Sequence, residues 1–541
     1  MIFDINDTDT PSSFAVDVCI VGSGAVGITL AREFLGTPYS VAVLEGGGRE
    51  WEDASQEPYV SEITGLPHKG IHEGRTRAIG GTTLLWAGQA LPLYEIDFES
   101  RPWVPYSGWP IRRASLTPFY ERAHAVMQLP SVSYDAASWP IGEPPPPYDP
   151  AFMMPLYSQF AAVPNFSQKY RAEIQAAANV TLYTHANVTE IRATSGADAV
   201  QSVQVRSFAG RTAEVKSRFF VVCCGGIETA RLLLLSRSVE AEGIGNANDM
   251  VGRFFQDHPG VPVGTVRPLD KRFPKWHNSF RRDLGGVQGW VRYGLKFCGA
   301  DALVRGEQLL NVGGEVYYAE DASNPVYALK AIGQNVRPAK LRSAEGRSDL
   351  TKALGSVLSR PHNVAYALWQ KGVLNQPVSV GTPMLGIGCE QEPNPQSRVR
   401  LSEQTDTLGM PRTALDWRLS GAEVRTIERF LEVVVAEWKR LGIADLTPSD
   451  IPIRGREQGK YGGFADASHH IGTTRMGDDP KTSVTDSRCR VHGYDNLYIG
   501  GSSLFPTGGF SNPTLTALAL CFRTGDEIKD RLRAAHTIAG S

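Results

Sequence analysis

The stretch "VDVCIVGSGAVGITLAREFLGTPYSVAVLEGG" near the start of the chain constrains its fold more than any other. The apolar run from Val16 to Val21 suits a strand buried on both faces of a parallel sheet. Gly22, Gly24 and Gly27 follow at GxGxxG spacing, with Ser23, Ala25 and Val26 between them. The first glycine permits a tight turn, the second lets backbone approach a pyrophosphate, and the third lets helix and strand pack closely. Ala25 to Leu35 has helical periodicity, so its first amides would face the phosphates. A second strand, Val41 to Leu44, runs into Glu45, whose carboxylate can accept hydrogen bonds from ribose hydroxyls and would repel a 2′-phosphate. Strand, glycine turn, helix, strand and terminal acid occur in order and predict a dinucleotide site. The fingerprint does not distinguish FAD from NAD.

At 541 residues the chain is too long for one simple core. "GRTRAIGGTTLLWAGQALPL" (Gly74 to Leu93) places Gly80 and Gly81 before small hydroxyl residues, which suits backbone running against a flat or phosphorylated ligand. "NVTLYTHANVTEIRA" alternates as strands do, and Phe219 to Ser236 reads strand, turn, helix. The middle mixes alternating strands with helical pieces such as "TIERFLEVVVAEWKRLG", and its Lys/Arg-rich stretch from Asn335 to Arg360 reads as a solvated helical excursion. The last part returns to strand, glycine-rich turn and helix (Pro513 to Arg533). The predicted fold is α/β. A Rossmann-like nucleotide-binding domain is assembled from 1–95, 180–265 and 465–541, and an α+β substrate-binding domain from 96–179 and 266–464.

A net charge of −2 without a dense Lys/Arg block removes the electrostatic signature of nucleic-acid or anionic-membrane binding. The seven cysteines include no CxxC, and several lie in apolar runs, as expected of reduced thiols in a cytoplasmic protein. The first residues lack the basic and apolar regions of a signal peptide, and the apolar runs are too short for a membrane helix. Metal binding is not expected: His469 and His470 are adjacent, and the other histidines lack paired ligand spacing. No G-x-S-x-G elbow points to serine-hydrolase chemistry.

In "SNPTLTALAL", Asn512 is placed as a helix N-cap and Pro513 as the first helical residue, which would expose the helix's positive end to a developing anion. Five segments, "GSGAVG", "RAIGGTTLLW", "VGRFFQDHPG", "HHIGTTRMG" and "DNLYIGGSSLFPTGGFSNPTLTALAL", together resemble the glucose–methanol–choline (GMC) family of FAD-dependent oxidoreductases. Their order and spacing cover nearly the whole chain, and the last two most resemble the branch of pyranose oxidases, glycoside 3-oxidases and bacterial sugar dehydrogenases. The resemblance implies FAD, held by the Gly22–Gly27 loop, Glu45, Arg77, the Gly80, Gly81 and Thr82 turn with Leu85 and Trp86, and the backbone of Val188. It adds Gly501, Ser502, Asn512, Pro513 and Thr514 from the C-terminal segment.

The same resemblance places the catalytic histidine at His469, three residues before Gly472, and its partner at Asn512, leaving His470 to packing and support. Histidine, with a pKa near neutrality, suits removal of a hydroxyl proton while a hydride leaves carbon. Some members attach FAD through a histidine where this chain has Leu85, so FAD is expected to be non-covalent. Asp257 and His258 also match a family feature, equally readable as structural or catalytic. Trp86, Trp103, Tyr106 and Trp109 are candidates for stacking on a sugar ring, with plain packing the alternative.

The implied reaction is oxidation of a secondary hydroxyl, on a sugar or glycoside, to a ketone, with oxygen or another acceptor reoxidising the flavin. A redox-silent lyase of the hydroxynitrile-lyase kind, on the same fold, is the second reading, and an NAD-linked dehydrogenase the third. The sequence is silent on oligomeric state, although the excursion from Ala319 to Lys371 could serve as an assembly surface.

Overall fold

The computed structural model describes residues 1–129, 133–139, 144–277, 280–283, 290–319, 382–449 and 463–539, with isolated positions between 351 and 369. The excursion read at 319–371 lies almost wholly outside the described residues.

The apolar strands near the N-terminus form the centre of an eight-stranded sheet. Ser13–Val21 pairs in parallel with Val41–Leu44 on one side and with Thr212–Val222 on the other. Val41–Leu44 pairs onward with Val180–Thr184, and Thr212–Val222 also carries Leu497–Ile499 in parallel register. An antiparallel pair, Val200–Arg206 and Asn187–Ala193, closes one edge, and Ile2–Asp4 closes the other. Strands from the first fifty residues, the middle and the last fifty thus lie side by side. Their carboxyl ends, at Val21, Leu44, Val222 and Ile499, point to one edge, where an open parallel sheet binds its ligand.

The second sheet is antiparallel. It runs Ala444–Pro448, Gly260–Pro268, Thr382–Cys389, Val312–Ala319, Trp290–Gly299, Met153–Phe160 and Gln89–Ala90, with Phe280–Asp283 beside Trp290–Gly299. The helix Ala422–Leu441 covers it, burying Val424, Ile427, Phe430, Val434 and Trp438 at helical spacing. Two apolar cores result, one under each large sheet.

The division predicted from sequence needs correction in five places. Gln89–Ala90 and Gly260–Pro268 belong to the antiparallel sheet. The helices Thr117–Met127 and Phe166–Ala176 sit in the nucleotide unit, packing on the terminal helix Thr514–Ala539 and on Ala25–Arg32 respectively. The hairpin Arg398–Thr405 with Pro411–Asp416 pairs with Glu62–Ile63 and buries Val399 and Leu415 in the first core. Amphipathic pieces carry no mark of which core they will cover, so sequence position was a poor guide.

A buried ion pair ties the segment after Gln89–Ala90 to the end of Thr382–Cys389. Arg101 donates through both terminal nitrogens to Glu390, at 2.8 and 2.6 Å, and both side chains are buried. Arg101→Met would leave the Glu390 carboxylate buried and unpaired, a loss expected to cost about 3–5 kcal/mol. A urea titration should show the midpoint falling accordingly, and an unchanged midpoint would show that the pair does not contribute to stability.

Candidate active site

One cleft lies along the carboxyl edge of the parallel sheet, and most residues predicted to hold a dinucleotide line it. They are Gly22 to Val26, Glu45, Arg77, Gly81, Thr82, Trp86, Val188, Gly501, Ser502, Pro513 and Thr514. The three glycines divide their work as the motif predicts. Gly22 has φ +99° and a Cβ there would lie 2.7 Å from the Cys223 carbonyl oxygen, while a Cβ on Gly27 would lie 1.9 Å from that of Gly22. A Cβ on Gly24 would meet nothing within 4 Å, so this position leaves room for a ligand. Glu45 is fixed from two sides: Ser23 donates its N–H and hydroxyl to Oε2, at 3.0 and 2.7 Å, and the Gly47 N–H donates to Oε1.

Four predicted residues do not line the cleft. Gly27 packs the helix against the turn, and Gly80, at φ +98°, donates its N–H to the Ser23 carbonyl and so ties the second glycine turn to the first. Leu85 is 47% exposed. Asn512 lies just outside the cleft, beside His469. The structure adds residues that sequence reasoning missed: Glu228 and Arg231 on the helix Gly225–Leu235, and Asp406, Leu408 and Met410 from the hairpin turn. Arg231 joins these pieces, donating to Glu228 and to Asp406. No local motif marks a hairpin turn that reaches across from another part of the chain.

Two antiparallel bridges build the far end of the site. Gln256 and Ile471 exchange backbone hydrogen bonds at 3.0 and 2.9 Å, as do Gly260 and Ala465. "FFQDHPG" and "ADASHHIG" therefore run side by side, which sets His258 against His469. Ser468 takes φ +59° to fit this path, and a Cβ on Gly472 would lie 2.2 Å from the Phe254 carbonyl oxygen. Ser502 donates its hydroxyl to the His470 carbonyl at 2.7 Å, fastening the segment to the cleft.

His469 Nε2 faces Asn512 Nδ2 at 3.5 Å, and His469 Nδ1 faces His258 Nδ1 at 2.7 Å. Burial pushes the His469 imidazole down to about 3, so it is neutral near pH 7. The Asn512 carboxamide makes no N-cap bond. Its Oδ1 is buried without a partner among the described residues, and the first helical bond runs from the Ala517 N–H to the Pro513 carbonyl. The expected cap is thus displaced by one residue, because the side chain of Asn512 is turned toward His469.

Behind the two histidines lies Asp257, fully buried. It accepts from His68 Nε2 at 3.0 Å and from the backbone N–H groups of His258, Ala467 and His469 at 2.6 to 3.1 Å. Burial alone would raise this carboxyl; the His68 hydrogen bond and the surrounding histidines outweigh it and hold the group well below the usual carboxylate range. His68, Asp257 and His470 offer ligand atoms within 4.8 Å of one another. His68 Nδ1 already accepts the Ile71 N–H, however, so its Nε2 carries the proton that faces Asp257 and offers no lone pair to a cation. His470 is buried beside His68 and Phe255.

The aromatic loop does not assemble as one platform. Trp109 is buried with its indole N–H on Thr507 Oγ1, and Trp103 donates to the Leu309 carbonyl. Trp86 lines the cleft and donates to the Pro164 carbonyl; Tyr106 is 49% exposed.

Residues 17–244 match the family described as FAD dependent oxidoreductase, and residues 393–521 the one described as GMC oxidoreductase. Paromamine 6'-oxidase of Streptomyces fradiae is 25% identical, over 96% of this chain and 92% of its own. C-glycoside 3-oxidase of Microbacterium trichothecenolyticum is 31% identical over 28% of each chain. Formate oxidase of Aspergillus oryzae shares the fold, with a TM-score of 0.54 at 15% identity over 96% of this chain and 99% of that one.

Two outcomes follow from this geometry. Gly27→Val should abolish the yellow flavin absorbance of the purified protein, because the helix cannot close on its turn; a fully loaded variant would refute the assignment. Asp257→Asn should lower the denaturation midpoint at pH 7. A depressed folded pKa contributes stability above the unfolded value of about 3.9 and loses it as pH falls, so the variant's deficit should shrink below roughly pH 4.

Proposed function

The chain belongs to the glucose–methanol–choline family of FAD-dependent oxidoreductases, and from that premise we propose that it oxidises a secondary hydroxyl of a sugar or glycoside to a ketone. Oxidation of an alcohol with FAD follows from the family, and the two named relatives from bacteria support a carbohydrate-like substrate. Lyase chemistry gains no support from these relatives.

The observation that carries the assignment of roles is the approach of His469 to Asn512, whose neighbour Pro513 lines the cleft. The residues present suit the cofactor. Gly24 leaves a cradle for the pyrophosphate, and Glu45 stands where ribose hydroxyls need an acceptor. Ser502, Pro513 and Thr514 bring the start of the terminal helix to the same cleft, where its exposed amides favour negative charge. FAD, when bound, supplies a ring that takes the hydride from the carbinol carbon.

His469 does the proton work. Its Nε2 is the nitrogen on the Asn512 side, so a hydroxyl that faces both side chains would surrender its proton to Nε2 as the O–H bond breaks. Asn512, with an unpartnered oxygen and an amide N–H, can hold that hydroxyl in line. Leu85 offers no nucleophile, which supports non-covalent FAD. The seven free cysteines, six of them buried, support a reducing compartment such as the cytoplasm. Oxygen or another acceptor would complete the cycle.

His469→Ala should keep its flavin while anaerobic reduction by substrate slows by about 10²–10⁴-fold. A rapid-mixing screen over monosaccharides, glycosides and simple alcohols measures both, and a variant that reduces flavin at the parent rate would move the base elsewhere. Acid precipitation should release the flavin into solution; flavin retained in the pellet would mean a covalent bond.

A further inference from the structure

We propose that His258 is a positioning residue that fixes the tautomer of His469, leaving Nε2 of the base without a proton in the resting enzyme. The proposal rests on reading His469 as the base and adds what makes it one.

The argument starts at a group with no proton to give. The Gly508 carbonyl lies 3.3 Å from His258 Nε2, so in that bond the proton belongs to His258 Nε2. His258 is buried, which keeps it neutral against the pull of Asp257, and its other nitrogen, Nδ1, therefore holds a lone pair. That lone pair faces His469 Nδ1 at 2.7 Å, with the two rings nearly perpendicular at 80°. Two nitrogens at that distance share one proton, and it must come from His469. A neutral imidazole carrying its proton on Nδ1 has none on Nε2. The opposite partner is compatible, because the Asn512 carboxamide faces His469 Nε2 and has an N–H to offer it.

Asp257 does not orient this ring. Its oxygens bind the His469 backbone N–H at 3.1 Å and are otherwise taken by His68, His258 N–H and Ala467 N–H. The third member of the usual base-orienting arrangement is here an imidazole. Nor does the chain relay protons. When Nε2 takes the hydroxyl proton, His469 keeps its Nδ1–H and still donates it to His258 Nδ1, and the row ends at a carbonyl that cannot be protonated. The proton therefore leaves by the side on which it arrived. The charge on the imidazolium shortens and strengthens the bond to His258.

The test uses the holoenzyme labelled with nitrogen-15 in its histidines, with His469→Ala to assign the resonances. The expected spectrum shows a protonated Nδ1 and a bare Nε2 at His469; a protonated Nε2 in the resting enzyme overturns the proposal outright. His258→Phe, which cannot accept a hydrogen bond, should keep its flavin and its KM while the limiting rate of flavin reduction falls about 10- to 100-fold. His258→Asn can accept with Oδ1 and donate with Nδ2, and should restore most of that rate. If His258→Phe reduces flavin at the parent rate while His469→Ala does not, the base stands and the positioning role falls. If His469→Ala keeps the parent rate, the base reading falls first, and the labelled spectrum still decides the tautomer.

Discussion

The carboxylate of Asp257 is the point on which the site depends. Fully buried, it gathers hydrogen bonds from four sources: the ring of His68 and the backbone of His258, Ala467 and His469. These belong to three segments that are hundreds of residues apart in sequence, one from each end of the chain and one from its middle. A buried charge without partners is costly, and the cost falls only when all three segments are in place. Folding of the site is therefore close to all-or-none: each segment is held by an acceptor that needs the others.

The parallel sheet supplies the second constraint. Its strands end at Val21, Leu44, Val222 and Ile499, and the chain leaves each of them through a turn that lines the cleft. Glycine stands at two of these exits, Gly22 and Gly500, where a side chain would collide: a Cβ would lie 2.7 Å from the Cys223 carbonyl oxygen at the first and 2.8 Å from Cys223 Sγ at the second. The antiparallel sheet contributes through the start of one strand. Gly260–Pro268 begins at the very residues that pair with Ala465, so the second unit is anchored to the histidine segment rather than merely lying beside it.

What the sequence made legible was whatever is local. The run Val41–Leu44 has the predicted ends, and the turn after Val21 uses its glycines as their spacing implies. Pairing His469 with Asn512 required the family resemblance, since nothing in either segment says that they meet. The same limit explains the errors. The N-cap assigned to Asn512 followed from local propensity, and it failed because a tertiary partner claimed the side chain. The hairpin carrying Asp406 and Met410 belongs to the nucleotide unit because Val399 and Leu415 meet the first core, a contact that its position in the chain does not announce. The role of His258 is not legible in the sequence, for a tautomer is decided by what lies opposite each ring nitrogen.

The distance at which Asp257 stands from the reacting nitrogen explains why a carboxylate is present yet does not touch the base. A carboxylate on His469 Nδ1 would favour the imidazolium and hold the base protonated at rest, when it has to be empty. Placed instead behind the backbone amides, Asp257 offers a weaker and more even field. Burial then dominates and keeps the imidazole neutral, while the nearby negative charge remains to meet the proton when it arrives. His258 fills the position that the carboxylate leaves open, accepting the Nδ1 proton without a charge of its own. Orientation and charge stabilisation, which one acid would otherwise combine, are thereby divided between two neighbouring residues of one short segment.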